Sequence, residues 1–376
     1  VKVKCCCGIS TFHIKFDKRR LPSRVSFCHC NSCRHSTGQM AFYGIPIIGP
    51  PLIGSTSLRP VNLDTTDLTG YCVSFSSIHY FCPNCSARMF LRKGNGRGVE
   101  WLLAGGLLES TEGIIEWKGH VNLADTMDGG LADHIRTVKG KTLNRYAHDE
   151  HSEELPVAWR SKELKSREEA MTDDKLHAHC HCGAIRVYIT RPNRMSATMQ
   201  APYPPLLHPL HSRLSRLHNP KDEKWWLCPS MRMTEAGDLV KMDSHDADFT
   251  TPSRSSKYLA GHCVCLQCRL ASGFDVQTYA FIPRANIFEE GSNDHHPIEF
   301  LVEEYRPQGL QQYCPSPGIY REFCATCGAT AFYWQIGHPD VVNVSTGLLD
   351  EQDDGVRAEE WLSWVNNRVA FMEEGL

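Results

Sequence analysis

Three cysteine clusters occur twice along this chain in the same order, and this internal repeat constrains the fold more than any other feature. Each occurrence has a CxCG pair, then a CxCxxCR triplet, then an FCxxC pair, and ends in GLL before an acidic residue. The last cysteine and the GLL glycine are 21 positions apart in the first occurrence (Cys85 to Gly106) and 20 in the second (Cys327 to Gly347). A repeat of this length indicates two similar domains in tandem.

The two occurrences, called copy one and copy two below, differ in one interval. The first and middle clusters are 21 positions apart in copy one and 81 in copy two, so copy two carries an insertion at about 195–258. Residues 139–175 are rich in charge and have little apolar periodicity, which is typical of an exposed linker. We therefore predict a first domain over 1–145, a charged linker over 146–175 and a second domain over 176–376.

Apolar patterns near the clusters predict a mainly β fold. After each first cluster, apolar residues alternate with polar ones, which is the period of a half-buried strand. They are Phe12, Ile14 and Phe16 in copy one and Ile185, Val187 and Ile189 in copy two. The β-rich run after each middle cluster matches Phe42 with Tyr279 and Pro46 with Pro283.

The end of the chain has a different pattern. From Glu359 onward, apolar residues fall at helical spacing, so we predict that one amphipathic C-terminal helix closes copy two. The residues with this spacing are Trp361, Trp364, Val365, Arg368 and Met372.

Composition excludes several classes of protein. The 376 residues are 41% hydrophobic and 22% charged, as in ordinary globular domains. A net charge of −3 supplies no basic field for nucleic acid, and no apolar run approaches the roughly 18 residues of a membrane span, so we expect neither partner. The visible start lacks the apolar core of a signal peptide, and we expect a cytoplasmic protein. Thiols stay reduced there, which favours metal binding over disulfides for the 18 cysteines.

The first and last clusters of each copy together offer four thiolates, which is the donor set of a structural zinc site. A CxxC turn places two thiolates on one side of a loop, and the CxC pair is the partner that completes a tetrahedral site. The predicted ligands are Cys5, Cys7, Cys82 and Cys85 (outer cluster one) and Cys180, Cys182, Cys324 and Cys327 (outer cluster two). Zinc binding there would contribute directly to folding.

The middle CxCxxC triplets offer three thiolates each, and no fourth cysteine stands in a matching position. Three protein ligands and an open position are the pattern of a catalytic zinc. The predicted metal ligands and catalytic residues are Cys28, Cys30 and Cys33 (middle cluster one) and Cys263, Cys265 and Cys268 (middle cluster two). A thiolate-rich zinc can bind a substrate thiol as the thiolate and can polarise a carbonyl oxygen.

Two alternatives to open zinc sites remain at this level. A CxxC pair can be a redox pair or an unmetallated turn. The triplets can also be closed structural sites if His29, His35 or His262 supplies the fourth ligand. Copy two has Val264 at the position of His29, so no shared fourth histidine is evident.

Other polar residues near the clusters are candidates for binding. Arg34 and Arg269 follow the third cysteine of each triplet, where a guanidinium can offset thiolate charge or hold a substrate carboxylate; a solvated arginine is the alternative. The insertion contains three histidines. They are candidates for metal ligands or for part of a lid, and the alternative is an ordinary long loop. They are His208, His211 and His218.

The three clusters together resemble the glutathione-dependent formaldehyde-activating enzyme and centromere protein V family, whose pattern is CxCG, then CxCxxCRxxSG, then an FCxxCG-like knuckle. Both copies are similar to it outside the linker and the insertion. The resemblance implies small folded-over antiparallel sheets, a structural zinc at the outer clusters and a second zinc at the middle one. It also implies addition of glutathione to formaldehyde or, more generally, carbon-sulfur lyase activity. Copy one departs from the pattern at Thr37, where serine is expected, and at Ser86, where glycine is expected.

These features predict a zinc-dependent carbon-sulfur lyase or thiol-adduct enzyme made of two tandem zinc-binding β domains. The expected substrate is a small-molecule thiol or thioether, glutathione-linked or related, and the expected cofactor is zinc. The alternative is a zinc-stabilised binding module without catalysis, whose triplets would be filled by a fourth protein ligand. No P-loop, dinucleotide fingerprint or Ser-His-Asp arrangement supports a kinase, dehydrogenase or hydrolase.

Overall fold

A computed structural model describes residues 1–54, 57–94, 96, 98–201, 204–207, 224–229, 231–233, 239–241, 256–291, 296–302 and 305–374. Short strands dominate these residues and the helices are few and short, which confirms the predicted mainly β fold. Within this part of the chain, no helix has the length and apolar character to cross a membrane. The insertion histidines His208, His211 and His218 lie outside the described residues.

The described strands of copy one are numbered β1 to β14 in chain order. They are Lys2–Lys4, Thr11–His13, Ser23–Cys28, Gly44–Ile47, Leu52–Ile53, Arg59–Pro60, Thr69–Ser74, Ser77–Phe81, Arg88–Gly94, Val99–Ala104, Ile115–Val121, Thr137–Val138, Lys141–Thr142 and Asn144–Arg145.

The described strands of the rest of the chain continue as β15 to β27. They are Lys175–His179, Arg186–Thr190, Leu227–Pro229, Met231–Met233, Leu239–Lys241, Ser256–Cys263, Gln277–Pro283, Ile287–Glu289, Leu310–Ser316, Ile319–Cys324, Thr330–Gln335, Val341–Ser345 and Leu362–Trp364.

The helices are short and mark the turns between strands. The α-helices α1 to α5 are Asn31–Thr37, Arg167–Thr172, Arg194–Thr198, Leu266–Ser272 and Glu351–Asp354. The 3-10 helices are Lys18–Arg20, Leu63–Thr65, Gly105–Leu107, Ala124–Thr126, Gly130–Asp133, Arg284–Asn286, Thr346–Leu348 and Met372–Glu374.

Both copies fold around a main antiparallel sheet that is covered by a smaller one. In copy one the main sheet has the order β4-β10-β9-β8-β7, and β1, β2, β5 and β6 form the smaller sheet. In copy two the main sheet runs β20-β21-β26-β25-β24-β23, and β15, β16 and β22 form the smaller one. Phe12 from the smaller sheet meets Phe90 from the main sheet edge to face, with ring centroids 5.3 Å apart. In each copy, one pair of outer cysteines lies at a turn of the smaller sheet and the other pair at a turn of the main sheet. Packing of the two sheets brings these two turns together.

The two copies interlock through their GLL turns. Helix α1 packs on the 3-10 helix Thr346–Leu348 of copy two, and α4 packs on Gly105–Leu107 of copy one. A Cβ atom at Gly106 would lie 2.5 Å from the Phe274 backbone nitrogen, and one at Gly347 would lie 2.4 Å from the Gln39 nitrogen. No side chain fits at such distances, so the glycines of both GLL turns allow the copies to approach closely.

The predicted C-terminal helix is wrong. The segment forms strand β27, which pairs in parallel with β20, and a short 3-10 helix near the end of the described chain. Trp361 lies under the Arg191 guanidinium, whose carbon is 3.5 Å from the ring centroid, whereas Trp364 stacks on His262. The tryptophans therefore pack against different neighbours, and their helical spacing has no structural counterpart.

The linker contains buried residues, and the described part of the insertion contains strands. The prediction that residues 146–175 are exposed is wrong at Leu155, Leu164 and Ala170, which are buried. Part of the insertion belongs to the main sheet of copy two, because β17 pairs with β20. The predicted domain boundaries themselves stay a prediction.

Candidate metal centre and active site

The structure brings together the sulfur atoms of both predicted outer clusters. In each cluster the four Sγ atoms lie within 4.8 Å of one another. The cysteines come from the β1–β2 and β8–β9 turns in copy one and from the β15–β16 and β24–β25 turns in copy two. Backbone amides support the sulfur atoms: the nitrogens of Ser10 and Ile185 lie 3.2 and 3.3 Å from Cys5 and Cys180 Sγ. Four sulfur donors, three of them from buried cysteines in each cluster, suit a soft divalent cation such as zinc.

Each outer cluster is covered by a tyrosine from the other copy. Tyr313 of copy two packs against the core of copy one, and the cysteines of outer cluster one help to raise the pKa of its hydroxyl after the main effect, burial. Tyr71 of copy one occupies the equivalent place over outer cluster two, where burial raises its pKa to about 12. Its hydroxyl lies 2.7 Å from His181 Nδ1. The outer clusters are therefore part of the interface between the copies.

The structure also gathers the three sulfur atoms of each middle cluster within 4.8 Å of one another. Both clusters begin a helix in the same way. Cys30 is the N-cap of α1 and Cys265 the N-cap of α4, and each sulfur atom accepts from the backbone nitrogen three residues on, at 3.4 Å. Gly38 and Gly273 end the two helices in the left-handed conformation, with φ of 76° and 68°. These caps fix the three thiols on one side of each turn.

None of the three histidines considered as fourth ligands joins the sulfur atoms of a middle cluster. His29 Nε2 lies 2.9 Å from His120 Nδ1, and His262 Nε2 lies 3.0 Å from His134 Nδ1. Both ring nitrogens of His35 have other partners, the His179 carbonyl oxygen among them. Among the described residues, no histidine or carboxylate joins either group of three sulfur atoms.

Middle cluster two has a buried cation against it. Arg321 is 2% exposed, and its Nη2 donates to Cys268 Sγ at 3.2 Å. Its Nη1 donates to the Tyr279 hydroxyl oxygen at 3.2 Å, and no carboxylate pairs with it within the described chain. The pKa of Cys268 lies well below the usual thiol value, because Cys263 and Cys265 donate hydrogen bonds to its thiolate and Arg321 adds positive charge. Cys268 therefore favours the thiolate, the form that binds metal, whereas the hydrogen bonds and negative charge within the cluster and burial raise the pKa values of Cys263 and Cys265.

A cavity of about 840 Å³ opens directly onto middle cluster two. Its floor is formed by the three cysteines of that cluster together with Tyr279 and Arg321, and the insertion and the C-terminal segment contribute to its wall. This volume is in the range of small-molecule sites, about 300–1,000 Å³. A small molecule in this cavity can therefore reach the cysteines.

The comparison with known families agrees with this geometry. The family model for the glutathione-dependent formaldehyde-activating enzyme matches residues 1–120 and 249–366, which is more than half of the chain. The chain belongs to this family. No curated protein and no solved structure gives a match. Membership indicates glutathione-related thiol chemistry on a small-molecule substrate, and the cysteine clusters can hold metal ions.

The second matched region begins at residue 249, after the CxCG pair of copy two and within the last part of the insertion. In the structure, Cys182 Sγ nevertheless lies 3.4 Å from Cys324 Sγ. Copy two therefore has the complete set of cysteine clusters that the family pattern contains, although the chain between them is interrupted.

Middle cluster one of this family member has different surroundings. The Asn122 side-chain amide donates to Cys28 Sγ, the first cysteine of the triplet, at 3.2 Å. In copy two the Arg321 guanidinium donates instead to Cys268, the third cysteine. The position equivalent to Arg321 is His79, because both lie two residues before the phenylalanine of FCxxC. Burial lowers the pKa of His79 well below its usual value, so this imidazole is neutral. Middle cluster one consequently has no cation at the position of Arg321.

The strand register corrects the match made between the two copies. Cys28 bridges to Phe42 and Cys263 pairs with Gln277, so the residue equivalent to Tyr279 is Gly44 rather than Phe42. A Cβ atom at Gly44 would lie 2.9 Å from Leu102 Cβ. Copy one therefore has no room for the tyrosine. The sequence match failed because it aligned the prolines that end the two runs, whereas the pairing starts from the cysteine triplets.

The arginines after the triplets lie between the copies. Arg34 donates from Nη1 to the carbonyl oxygens of Gly347 and Leu349, at 3.1 and 3.2 Å. Arg269 donates in the same way to the Gly106 oxygen at 2.9 Å and also to the Leu108 oxygen. The structure thus places both guanidiniums on the GLL turn of the opposite copy. Their predicted role in substrate binding stays a prediction.

Sequence reasoning missed the residues that distinguish the two middle clusters. Tyr279, Tyr333 and Arg321 stand on β21, β25 and β24 of the main sheet, with β26 between β21 and β25, and meet only when the sheet forms. One signal was available in the sequence: Arg321 lies three residues before the CxxC pair, where copy one has a histidine.

Proposed function

We propose that the chain is a zinc-dependent carbon-sulfur lyase or thiol-adduct enzyme, acting on glutathione-linked or related small molecules, and that the reaction takes place at middle cluster two. The observation that carries this proposal is the cavity that opens onto Cys263, Cys265 and Cys268. Three thiols without a fourth protein ligand among the described residues fit an ion with one open position. Zinc bound there would hold the substrate sulfur as a thiolate.

The reaction is the reversible cleavage of a thiol adduct of an aldehyde. The carbon-sulfur bond breaks and its electron pair stays on the sulfur, while the adduct hydroxyl loses its proton as the carbonyl forms. The products are a thiol and an aldehyde, so the atoms balance without an oxidant or a further reactant. The reverse direction adds the thiol to the aldehyde.

The polar groups of the cavity suit the oxygen of such an adduct. Burial raises the pKa of Tyr279 well above its usual value, so the phenol keeps its proton at neutral pH. The phenol oxygen accepts from Arg321 and lies 4.0 Å from Cys268 Sγ, so a substrate oxygen would receive the phenol proton in place of that sulfur. Arg321 also offsets the negative charge of the thiolates. Tyr279 and Arg321 therefore orient the adduct oxygen next to the sulfur site.

Copy one acts as a structural partner in this proposal. The equivalents of Tyr279 and Arg321 are Gly44 and the neutral His79. The GLL turn of copy one holds α4, the helix that begins at middle cluster two. Copy one thus positions the reacting cysteines of copy two.

A matched pair of substitutions tests the assignment. Cys265→Ser and Cys30→Ser both replace an N-cap residue, and serine keeps the cap. Each variant is expected to lose one zinc ion per chain by mass spectrometry. Cys265→Ser is expected to lower turnover of the formaldehyde adduct of glutathione at least 100-fold, whereas Cys30→Ser retains turnover within about fivefold.

Three outcomes would contradict the proposal. Loss of turnover in Cys30→Ser with retention in Cys265→Ser would assign the reaction to copy one. Full turnover in both variants would remove the middle clusters from the chemistry. No turnover of any thiol adduct by the zinc-loaded chain would favour the binding module. Thermal unfolding of each variant distinguishes loss of chemistry from loss of fold.

A further inference from the structure

We propose that the cavity at middle cluster two selects a thiol or thiol adduct with a bulky apolar substituent over the zwitterionic glutathione. This inference rests on the proposed function for the position of the sulfur, and it specifies the rest of the substrate. Three observations carry it: the apolar wall, the charges available in the cavity, and the origin of the wall in the insertion of copy two.

Part of the cavity wall is apolar and partly aromatic. Leu207, Trp225, Phe281, Val341 and Phe371 all line the cavity. The rings of Trp225 and Phe281 meet edge to face, with centroids 5.4 Å apart. Trp225 Nε1 donates to the Ala201 carbonyl oxygen at 2.7 Å, so the polar atom of this indole already has a partner. The wall therefore offers carbon surface to a ligand, and contact with it favours an apolar group.

The cavity has few charges to receive a zwitterion. Among its described lining residues there is no aspartate, glutamate or lysine, and Arg321 is the one permanently charged side chain. Arg321 already donates to Cys268 and Tyr279. Glutathione carries one ammonium and two carboxylates at neutral pH, and an ammonium buried without an acidic partner is strongly disfavoured. A neutral apolar substituent avoids this cost.

The insertion supplies much of the wall, which makes the preference a property of copy two. Leu207 packs on Gly261 so closely that a Cβ atom at Gly261 would lie 2.5 Å from Leu207 Cδ1. Trp225 and Leu207 belong to one buried apolar cluster with Phe281 and Val341. The inserted residues thus form a fixed side of the cavity. Copy one lacks an insertion at this point of its sequence.

Binding of two thiols to the zinc-loaded full chain tests the inference. Phenylmethanethiol and glutathione share a thiol and differ in the group attached to it. Isothermal titration calorimetry is expected to give at least tenfold tighter binding for phenylmethanethiol. Phe281→Ala and Leu207→Ala should each weaken phenylmethanethiol about tenfold and change glutathione less than threefold. Pro46→Ala, at the copy-one position equivalent to Phe281, should change neither.

The outcomes separate this inference from the proposed function. Glutathione binding as tightly as phenylmethanethiol, or equal losses for both thiols in Leu207→Ala, would overturn the inference. Turnover of the glutathione adduct in that case would leave the proposed function standing. Preferential binding of phenylmethanethiol without turnover of its formaldehyde adduct would support the cavity assignment and overturn the proposed function. Thermal unfolding of Phe281→Ala and Leu207→Ala accompanies the titrations, because both variants remove a buried side chain.

Discussion

Removal of the buried cation at middle cluster two should weaken zinc binding there and leave the other three clusters unchanged. In Arg321→Met the long side chain keeps most of its volume but loses the guanidinium, whose Nη2 lies 3.2 Å from Cys268 Sγ. Two unit charges at that distance attract by about 5 kcal/mol at an effective dielectric constant of about 20. Part of this attraction is offset in the native protein, because the buried guanidinium loses hydration.

The net effect should match that of other groups that support metal ligands, about 10- to 100-fold in metal affinity. This range corresponds to roughly 1.4–2.8 kcal/mol. The measurement is native mass spectrometry of the zinc-loaded chain during titration with a chelator. At intermediate chelator concentration, Arg321→Met should carry one zinc ion fewer than the wild-type chain.

The matched control is His79→Met, at the equivalent position of copy one. His79 is neutral and its Nδ1 lies 3.5 Å from the Ser36 hydroxyl, so its removal takes no charge from middle cluster one. The zinc affinity of middle cluster one should change less than threefold in His79→Met. Unchanged zinc binding in Arg321→Met, or an equal loss in His79→Met, would refute the charge argument.

Three further predictions concern stability. Glu351→Gln leaves the Arg34 guanidinium, 2.7 Å away, without its carboxylate and should cost about 3 kcal/mol in chemical denaturation. The exposed Glu116→Gln should leave the denaturation midpoint nearly unchanged. Burial opposes ionisation of Glu351, but the His35 hydrogen bond and the Arg34 charge lower its pKa to about 2. The stability contributed by the Glu351–Arg34 pair should therefore fall as the pH drops from about 4.5 towards 2. A free energy of unfolding that stays constant over this pH range would contradict the prediction. In Gly44→Tyr the new side chain would collide with Leu102, and this overpacking should lower the free energy of unfolding by about 1–3 kcal/mol.

The sequence alone was enough to predict the four cysteine groups that the structure brings together, and the family. Spacing within a CxxC or CxCxxC motif is local, so the turn that forms there already places two or three thiols together. The order of the clusters then indicated which distant pairs meet, since Cys5 and Cys82 occupy the same places in copy one as Cys180 and Cys324 in copy two. Alternation of apolar residues identified strands at Phe12 and Val187 for a similarly local reason.

Tertiary structure alone decided how the copies contact each other and how the surroundings of the two middle clusters differ. The copies exchange contacts through Arg34 and Arg269, and those partners lie more than 150 residues away along the chain. The helical spacing of the C-terminal tryptophans misled because strand pairing with β20 satisfies the backbone instead. The cavity depends on sheet register, which makes Tyr279 of copy two the equivalent of Gly44 of copy one, and on residues of the insertion that line it. Contacts of this kind depend on the packing of distant segments, which no local pattern encodes.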